Sequence, residues 1–99
     1  MFVEEKLYLN PQLKLSDVAR QVGTNRTYLS RFFNQEKQMT FFDYVNNLRV
    51  EHAVGLLQKS NLRLNVIAEQ SGFNSISTFR RFFAAKQQCT PSEYRKRFL

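Results

Sequence analysis

The 99-residue sequence is short of several residue types that would indicate particular protein classes. Its one cysteine, Cys89, cannot form an intramolecular disulfide, so nothing indicates an oxidising compartment. Its one histidine, His52, has no second imidazole with which to share a metal. No run of about 18 apolar residues predicts a membrane span. We therefore expect a cytoplasmic protein without a disulfide framework or a cofactor.

Residues for catalysis are also lacking. Three glycines are too few for a phosphate-binding loop, and no combination of serine, acid and base has the spacing of a known catalytic arrangement. We therefore predict that the chain is not an enzyme. His52 is interpreted as a packed or edge-exposed residue, and Cys89 as a small apolar filler.

Positive charge is abundant and unevenly distributed. The formal net charge is +7, and residues 61–99 contribute +5 of it. A small basic protein favours polyanions, either nucleic acid or an acidic membrane surface. The length fits one domain, or two small lobes that share a spine.

The stretch Phe41–Lys59 predicts the helix around which the chain is organised. At about 100° per residue, apolar side chains cover most of its circumference, which predicts that other helices cover it from two directions. Its 19 residues would span roughly 28 Å. Thr40 is the predicted N-cap. Arg49 is predicted on the apolar side of this helix, which favours a structural guanidinium, bound to helix-end carbonyls or to an acid such as Glu36, over a phosphate contact.

The chain contains an internal repeat on either side of this helix. At an offset of 49, Leu15, Val18, Ala19, Gln21, Gly23 and Asn25 match Leu64, Ile67, Ala68, Gln70, Gly72 and Asn74. At an offset of 50, Arg31, Phe32, Phe33, Gln38, Thr40 and Tyr44 match Arg81, Phe82, Phe83, Gln88, Thr90 and Tyr94. Two matched blocks separated by one inserted residue indicate a duplicated unit.

Helix signals predict an all-α fold of seven helices without strands. A short opening helix would include Phe2, Val3, Leu7 and Tyr8, and the next would begin with Ser16 as N-cap and run to Val22. Asn25 would cap a helix to about residue 35, and Thr90, Pro91 and Glu93 form the signature of a last helix. We expect one lobe in residues 1–40 and another in 60–99, joined by the linker helix 41–59.

Each repeat has the spacing of a helix-turn-helix, the motif that places its second helix in the major groove of DNA. Ala19 and Ala68 allow close helix crossing, and Gly23 and Gly72 allow positive φ at the turn. Tyr28, Leu29, Phe32 and Phe33 are predicted to be buried in the first unit, with Phe79, Phe82 and Phe83 in the second. The opposite faces are candidate DNA contacts: Asn25, Arg26, Thr27, Ser30, Arg31, Ser75, Ile76, Ser77, Arg80 and Arg81.

These motifs together resemble the DNA-binding domain of the AraC/XylS family of bacterial transcription regulators. The residues that carry the resemblance are LSDVARQVGTNRTYLSRFF, YVNNLRVEHAVGLLQ, VIAEQSGFNSISTFRRFF and TPSEYR. It implies two homeodomain-like helix-turn-helix lobes whose recognition helices, about 25–35 and 75–86, enter adjacent major-groove segments. It further implies base reading by Thr27, Ser30, Arg31, Ile76, Ser77, Arg80 and Arg81, contact with RNA polymerase, nucleoid association, and dimerisation, if any, through regions outside this chain.

The chain departs from the family pattern at two places. Gln88 stands where members usually have glycine before the last capping turn, and Gln38 holds the equivalent place in the first unit. A positive φ would cost about 1 kcal/mol at each, unless the turns are built differently. Ala84 and Ala85 replace the basic residues that often follow the second aromatic pair. The resemblance implies a sensor or dimerisation region before this unit, and the abrupt start suggests an excised C-terminal portion, although free-standing relatives also exist.

Two other functions are compatible with the sequence. The helical pairs could dock a protein partner, with an incidental basic surface. A basic helix lying on a membrane is a weaker alternative, because the aromatic faces are committed to a core.

Overall fold

The computed structural model describes residues 7–97, which form six α-helices and one short 3-10 helix, without a strand. Their bounds are Leu7–Leu9 for the 3-10 helix, Leu15–Gln21 (α1), Arg26–Glu36 (α2), Phe41–Lys59 (α3), Leu64–Gln70 (α4), Ile76–Gln87 (α5) and Pro91–Lys96 (α6). The predicted all-α class is confirmed. The predicted opening α-helix falls partly on Phe2 and Val3, outside the described residues, and Leu7 and Tyr8 lie in the 3-10 turn instead.

The central helix α3 is continuous over the predicted 19 residues. The amide of Asp43 donates to Oγ1 of Thr40 at 3.1 Å, which confirms the predicted N-cap. The helix packs along α4, α5, α6 and the 3-10 helix. Its buried side chains are Val45, Asn46, Arg49, Val50, Ala53 and Leu57.

The main core lies between α3 and the second repeat. Val50, Ala53, Ile67, Phe79 and Phe83 are completely buried there. Because burying a large apolar side chain stabilises a fold by about 1.5–3 kcal/mol, this cluster is the principal support of α5.

The first repeat is attached to α3 more lightly. Helices α1 and α2 pack mainly on each other. Phe33 of α2 is buried, and its ring centroid lies 5.3 Å from that of Phe41 and 5.1 Å from that of Tyr44. The two units are therefore unequal, because α3 shares its core chiefly with the second. The division of the chain at residues 40 and 60 stays a prediction.

The internal repeat is visible in the backbone. The amide of Thr24 donates to the carbonyl of Ala19 at 2.9 Å, and that of Phe73 donates to Ala68 at 3.0 Å. Gly23 and Gly72 have φ values of 76° and 94°, in the region that glycine permits. Helices α1 and α4 are related by an offset of 49, whereas the starts of α2 and α5 are related by 50.

The extra residue of the second turn is Asn74. Asn25 caps α2, and its structural counterpart is Ser75, the cap of α5, rather than Asn74 as the sequence matching suggested. Nδ2 of Asn74 donates to the carbonyl of Pro11 at 3.1 Å. The inserted residue thus links the second turn to the segment that precedes α1.

The boundaries of α1 differ from the prediction. The helix begins one residue after Lys14, and Ser16 lies inside it rather than at the N-cap. The Asp17 carboxylate accepts a hydrogen bond from the amide of Lys14 at 3.1 Å, so the acidic residue of the first turn satisfies an amide that has no partner within the helix. The carboxylate, rather than the Ser16 hydroxyl, therefore fixes the start.

Gln38 and Gln88 adopt the left-handed conformation that their positions in the family pattern implied. Their φ values are 55° and 64°. Gln88 is the C-cap of α5, and its amide donates to the carbonyl of Ala84 at 2.9 Å. Both turns therefore hold a side-chain-bearing residue in a backbone region that favours glycine.

Candidate nucleic-acid interface

Helix α2 begins at a well-formed cap. Oδ1 of Asn25 accepts a hydrogen bond from the amide of Tyr28 at 2.8 Å. Burial of Phe33 then fixes which face of α2 turns outward. Of the predicted contact residues, Asn25, Arg26, Thr27 and Arg31 are exposed and Ser30 is half-buried.

Helix α5 repeats this arrangement. Oγ of Ser75 accepts from the amide of Thr78 at 3.1 Å, and Phe79 and Phe83 are completely buried. Ser75, Ser77, Arg80 and Arg81 are exposed. Ile76 is half-buried and packs against the core, so it is not the fully outward residue that the sequence predicted.

Two aromatic residues of α2 were wrongly predicted to be buried. Tyr28 is 60% exposed and Phe32 is 38% exposed. The sequence placed them inside because they are aromatic, but among residues 7–97 no further helix of the first repeat covers them. In the second repeat Phe82 is half-buried, because the ring of Phe42 packs against it.

The outward face of α2 also includes residues that the sequence reasoning missed. Tyr28 and Gln35 lie three residues before and four residues after Arg31, so all three share one face. Gln35 and Tyr28 are exposed. The four-residue spacing from Arg31 would have identified Gln35, and the match of Tyr28 to the polar Thr78 in the repeat indicated a surface position.

The charges on these faces are not neutralised within the described chain. Among residues 7–97, no ion pair involves Arg26, Arg31, Arg80 or Arg81. Elsewhere, Arg20 pairs with Asp17 at 2.7 Å and Lys86 with Glu51 at 3.8 Å. Four exposed guanidinium groups thus remain available to an anionic partner, and guanidinium is the side-chain group best suited to bidentate contacts with phosphate and guanine.

The residues that carry reactive or metal-binding groups have structural surroundings. Nδ1 of His52 lies 3.2 Å from Oγ of Ser71, and Cys89 packs against the core. Within residues 7–97, no group of His, Cys, Asp and Glu side chains could hold a metal ion, and no helix is long and apolar enough to cross a membrane.

Comparison with known proteins places the chain in a family. Residues 18–97 match the model of a helix-turn-helix domain family. A relative in Bacillus subtilis (strain 168), the HTH-type transcriptional regulator YfiF, is 35% identical over an alignment of length 99. The alignment covers 96% of this chain and 31% of the relative. The chain spans a third or less of the length of the first curated relatives it matches.

Two solved structures have the same fold. The C-terminal domain of the two-component response regulator yesN from Fusobacterium nucleatum is 34% identical, with a TM-score of 0.83, over 95% of this chain and 90% of that one. An AraC-type transcriptional regulator from Chromobacterium violaceum is 28% identical, with a TM-score of 0.80, over 96% and 89% of the two chains.

These matches confirm the predicted family. They also bear out the prediction that this helix-turn-helix domain is not an enzyme, because the matched relatives are transcriptional regulators. The chain belongs to the AraC-type family of helix-turn-helix DNA-binding domains.

Proposed function

We propose that this chain binds a specific double-stranded DNA site by inserting α2 and α5 into successive segments of the major groove. The single observation that carries the proposal is the equivalence of the two helices. Each begins at a side-chain cap after a glycine turn. Each also presents an exposed arginine at the same position of the repeat, Arg31 in α2 and Arg81 in α5, and neither arginine forms an ion pair among residues 7–97.

The spacing of the two helices follows from α3. A continuous helix of 19 residues is about 28 Å long, and the longest dimension of the molecule is 45 Å. Successive major-groove segments on one face of DNA lie about 34 Å apart, so one chain is long enough to reach both. A single chain would then read an asymmetric site, and any mismatch in spacing would be met by bending the DNA at a cost of roughly 1–6 kcal/mol.

The side chains divide into two kinds of contact. Arg31 and Arg81 are the proposed base readers, since arginine donates two hydrogen bonds to O6 and N7 of guanine. Thr27, Ser30, Ser77 and Arg80 are proposed to contact neighbouring bases or phosphates. Asn25, Arg26 and Ser75 lie where the N-terminus of each helix favours phosphate, and half-buried Ile76 is limited to an apolar contact such as a thymine methyl.

The wider role of the protein follows the family. We propose that it acts in the bacterial cytoplasm, bound to the nucleoid, and regulates transcription through contact with RNA polymerase. The net charge of +7 supports binding to a polyanion. Dimerisation, if any, is assigned to regions outside this chain.

The test begins with selection of binding sites from a random duplex pool. Arg31→Ala and Arg81→Ala should each lose about 1–3 kcal/mol of binding free energy and relax the preference at a different base pair. Arg20→Ala is the matched control, because it also removes an exposed arginine, one that is paired with Asp17 outside both recognition helices. Unchanged base preferences in both variants would contradict the proposed readers.

A second function, docking of a protein partner, is favoured by the exposure of Tyr28 and Phe32 one turn apart on α2. The salt dependence of DNA binding separates the two functions. Contacts with several phosphates give a steep fall of log affinity with log salt concentration. A flat response without a footprint on the selected DNA would favour docking of a protein.

A further inference from the structure

Phe42 is a surface aromatic residue at the junction of the two repeats. It lies in the first turn of α3 and is 56% exposed, although the helical pattern predicts that it is covered. It lines a groove of about 430 Å³ whose other walls include Lys14 at the start of α1 and Thr78 on α5. Phe42 is not part of the main core cluster.

The ring of Phe42 supports a ring of the second recognition helix. Its centroid lies 5.5 Å from that of Phe82, with an interplanar angle of 74°, which is the edge-to-face arrangement that aromatic pairs prefer. Cζ of Arg81 in turn lies 5.3 Å from the centroid of Phe82. This distance is within the range of a cation–π interaction.

The contact leaves Arg81 able to bind DNA. A guanidinium that rests on an aromatic face keeps its N–H donors in its own plane, so they remain available for a bidentate contact with a base. Restricting a long side chain before binding also lowers the entropy lost when the complex forms. The contact therefore pre-organises the group proposed to read a guanine.

The first recognition helix lacks this support. Phe32, the counterpart of Phe82, packs edge-to-face on Phe33 at 5.5 Å and stays 38% exposed. Among residues 7–97, no aromatic ring lies against the guanidinium of Arg31 as Phe82 does against Arg81. The two arginines thus occupy the same position in the repeat but differ in how firmly they are held.

We propose that Phe42 is a positioning residue for base recognition by the second repeat: together with Phe82 it holds Arg81 on the outward face of α5. The proposal rests on the DNA-binding function given above. A residue of the linker helix α3 would then contribute to base recognition by α5. We also expect Arg81 to discriminate between bases more strongly than Arg31 does.

The test compares variants on the selected duplex and on duplexes in which each base pair is changed in turn. Phe42→Ala should weaken binding roughly two- to fivefold and reduce discrimination only at the base pairs that respond to Arg81→Ala. Phe42→Tyr keeps the ring and should keep the discrimination, because the exposed site leaves room for a hydroxyl group. In the Arg81→Ala background, Phe42→Ala should have no further effect.

Val22→Ala is the control for loss of an exposed apolar side chain, since Val22 is 62% exposed and lies outside α2, α3 and α5. Circular dichroism must show that every variant is folded. The positioning role would be overturned if Phe42→Ala left discrimination between base pairs unchanged. It would also be overturned if Phe42→Ala weakened binding equally at all base pairs and did so in the Arg81→Ala background as well. Either result would leave the DNA-binding function intact. If Arg81→Ala itself leaves every base preference unchanged, the assignment of Arg81 as a reader fails first.

Discussion

Arg49, in the middle of α3, donates from Nε to the backbone carbonyl of Tyr8 at 2.6 Å and so joins residues 41 positions apart. Its Nη2 donates to the carbonyl of Asn10 at 2.8 Å, and its Nη1 to Oδ1 of Asn46 at 3.0 Å. The side chain is buried, and burial lowers the pKa of its guanidinium. The interpretation of Arg49 as a structural residue bound to carbonyls is confirmed, whereas the alternative partner Glu36 is wrong.

Replacing Arg49 by methionine should therefore destabilise the protein by about 1.5–3 kcal/mol, because the buried carbonyl of Tyr8 and the part-buried contact with the carbonyl of Asn10 lose a charged donor. Urea denaturation measures the loss. Lys59→Met, which removes one exposed positive charge from the same helix, is the matched control and should change the stability by less than about 0.5 kcal/mol. Equal losses in the two variants would contradict a structural role.

The two turn glycines should respond differently to alanine. Both have positive φ, so either substitution strains the backbone by about 1–2 kcal/mol. At Gly23 an added Cβ meets nothing within 4 Å, whereas at Gly72 it would lie 2.5 Å from the carbonyl oxygen of Tyr8 and 2.9 Å from Cα of Leu9.

Gly72→Ala should consequently cost about 1–3 kcal/mol more than Gly23→Ala, through overpacking against backbone. Thermal and urea unfolding of the two variants give the comparison directly. Similar losses would show that the segment at Tyr8 is not held against the second turn as the structure has it.

The left-handed glutamines offer a stabilising substitution. Gln38→Gly and Gln88→Gly should each raise the free energy of unfolding by up to about 1 kcal/mol, because glycine adopts positive φ without a side-chain penalty. The gain at Gln88 should be the smaller, since its Nε2 donates to the carbonyl of Ala85 at 3.1 Å. Gln35→Gly, the same change inside α2, should instead destabilise by about 1 kcal/mol. If Gln38→Gly lowered the free energy of unfolding as much as Gln35→Gly does, Gln38 would not be a site of backbone strain.

Helix α6 makes the stability depend on pH. The amide of Thr90 donates to Oε1 of Glu93 at 2.9 Å. This backbone hydrogen bond, and after it a hydrogen bond with the Thr90 side chain, lowers the pKa of Glu93 below its usual value of 4.5. A depressed carboxyl pKa stabilises the fold at higher pH, so this contribution should be complete above about pH 4.5 and lost as the pH falls through the folded value.

Glu93→Gln keeps the acceptor but removes the titration, so its stability should vary less with pH in this acidic range than that of the unchanged protein. Denaturation at a series of pH values, with the Glu93 carboxyl followed by NMR, tests this. A carboxyl that titrates at or above its ordinary value would contradict the cap.

The sequence was informative where one residue type meets one local requirement. Thr40, Asn25 and Thr90 identified the starts of α3, α2 and α6, because a side-chain oxygen at the cap satisfies amides that no helical carbonyl can reach. The apolar pattern predicted the bounds of α3, and the repeat predicted the correspondence of the seven-residue helices α1 and α4. Local signals of this kind do not depend on distant parts of the chain.

Burial was harder to predict because it depends on which other element covers a face. Phe32 and Phe82 are equivalent in the repeat, yet only Phe82 has a covering ring, from Phe42 of α3. The hydrogen bonds of Asn74 with Pro11 and of Arg49 with Tyr8 also join segments that are distant in the chain, and the sequence does not identify these partners. The DNA-contact residues accordingly remain predictions from position and exposure.

In the first repeat, replacing a buried aromatic residue should cost much more stability than replacing an exposed one. Phe33 is buried against Phe41 and Tyr44, so Phe33→Ala should destabilise by about 3–5 kcal/mol. Tyr28 is 60% exposed, so Tyr28→Ala should change the free energy of unfolding by less than about 1 kcal/mol. Urea denaturation distinguishes the two, and a large loss in Tyr28→Ala would restore the original prediction that Tyr28 lies inside the protein.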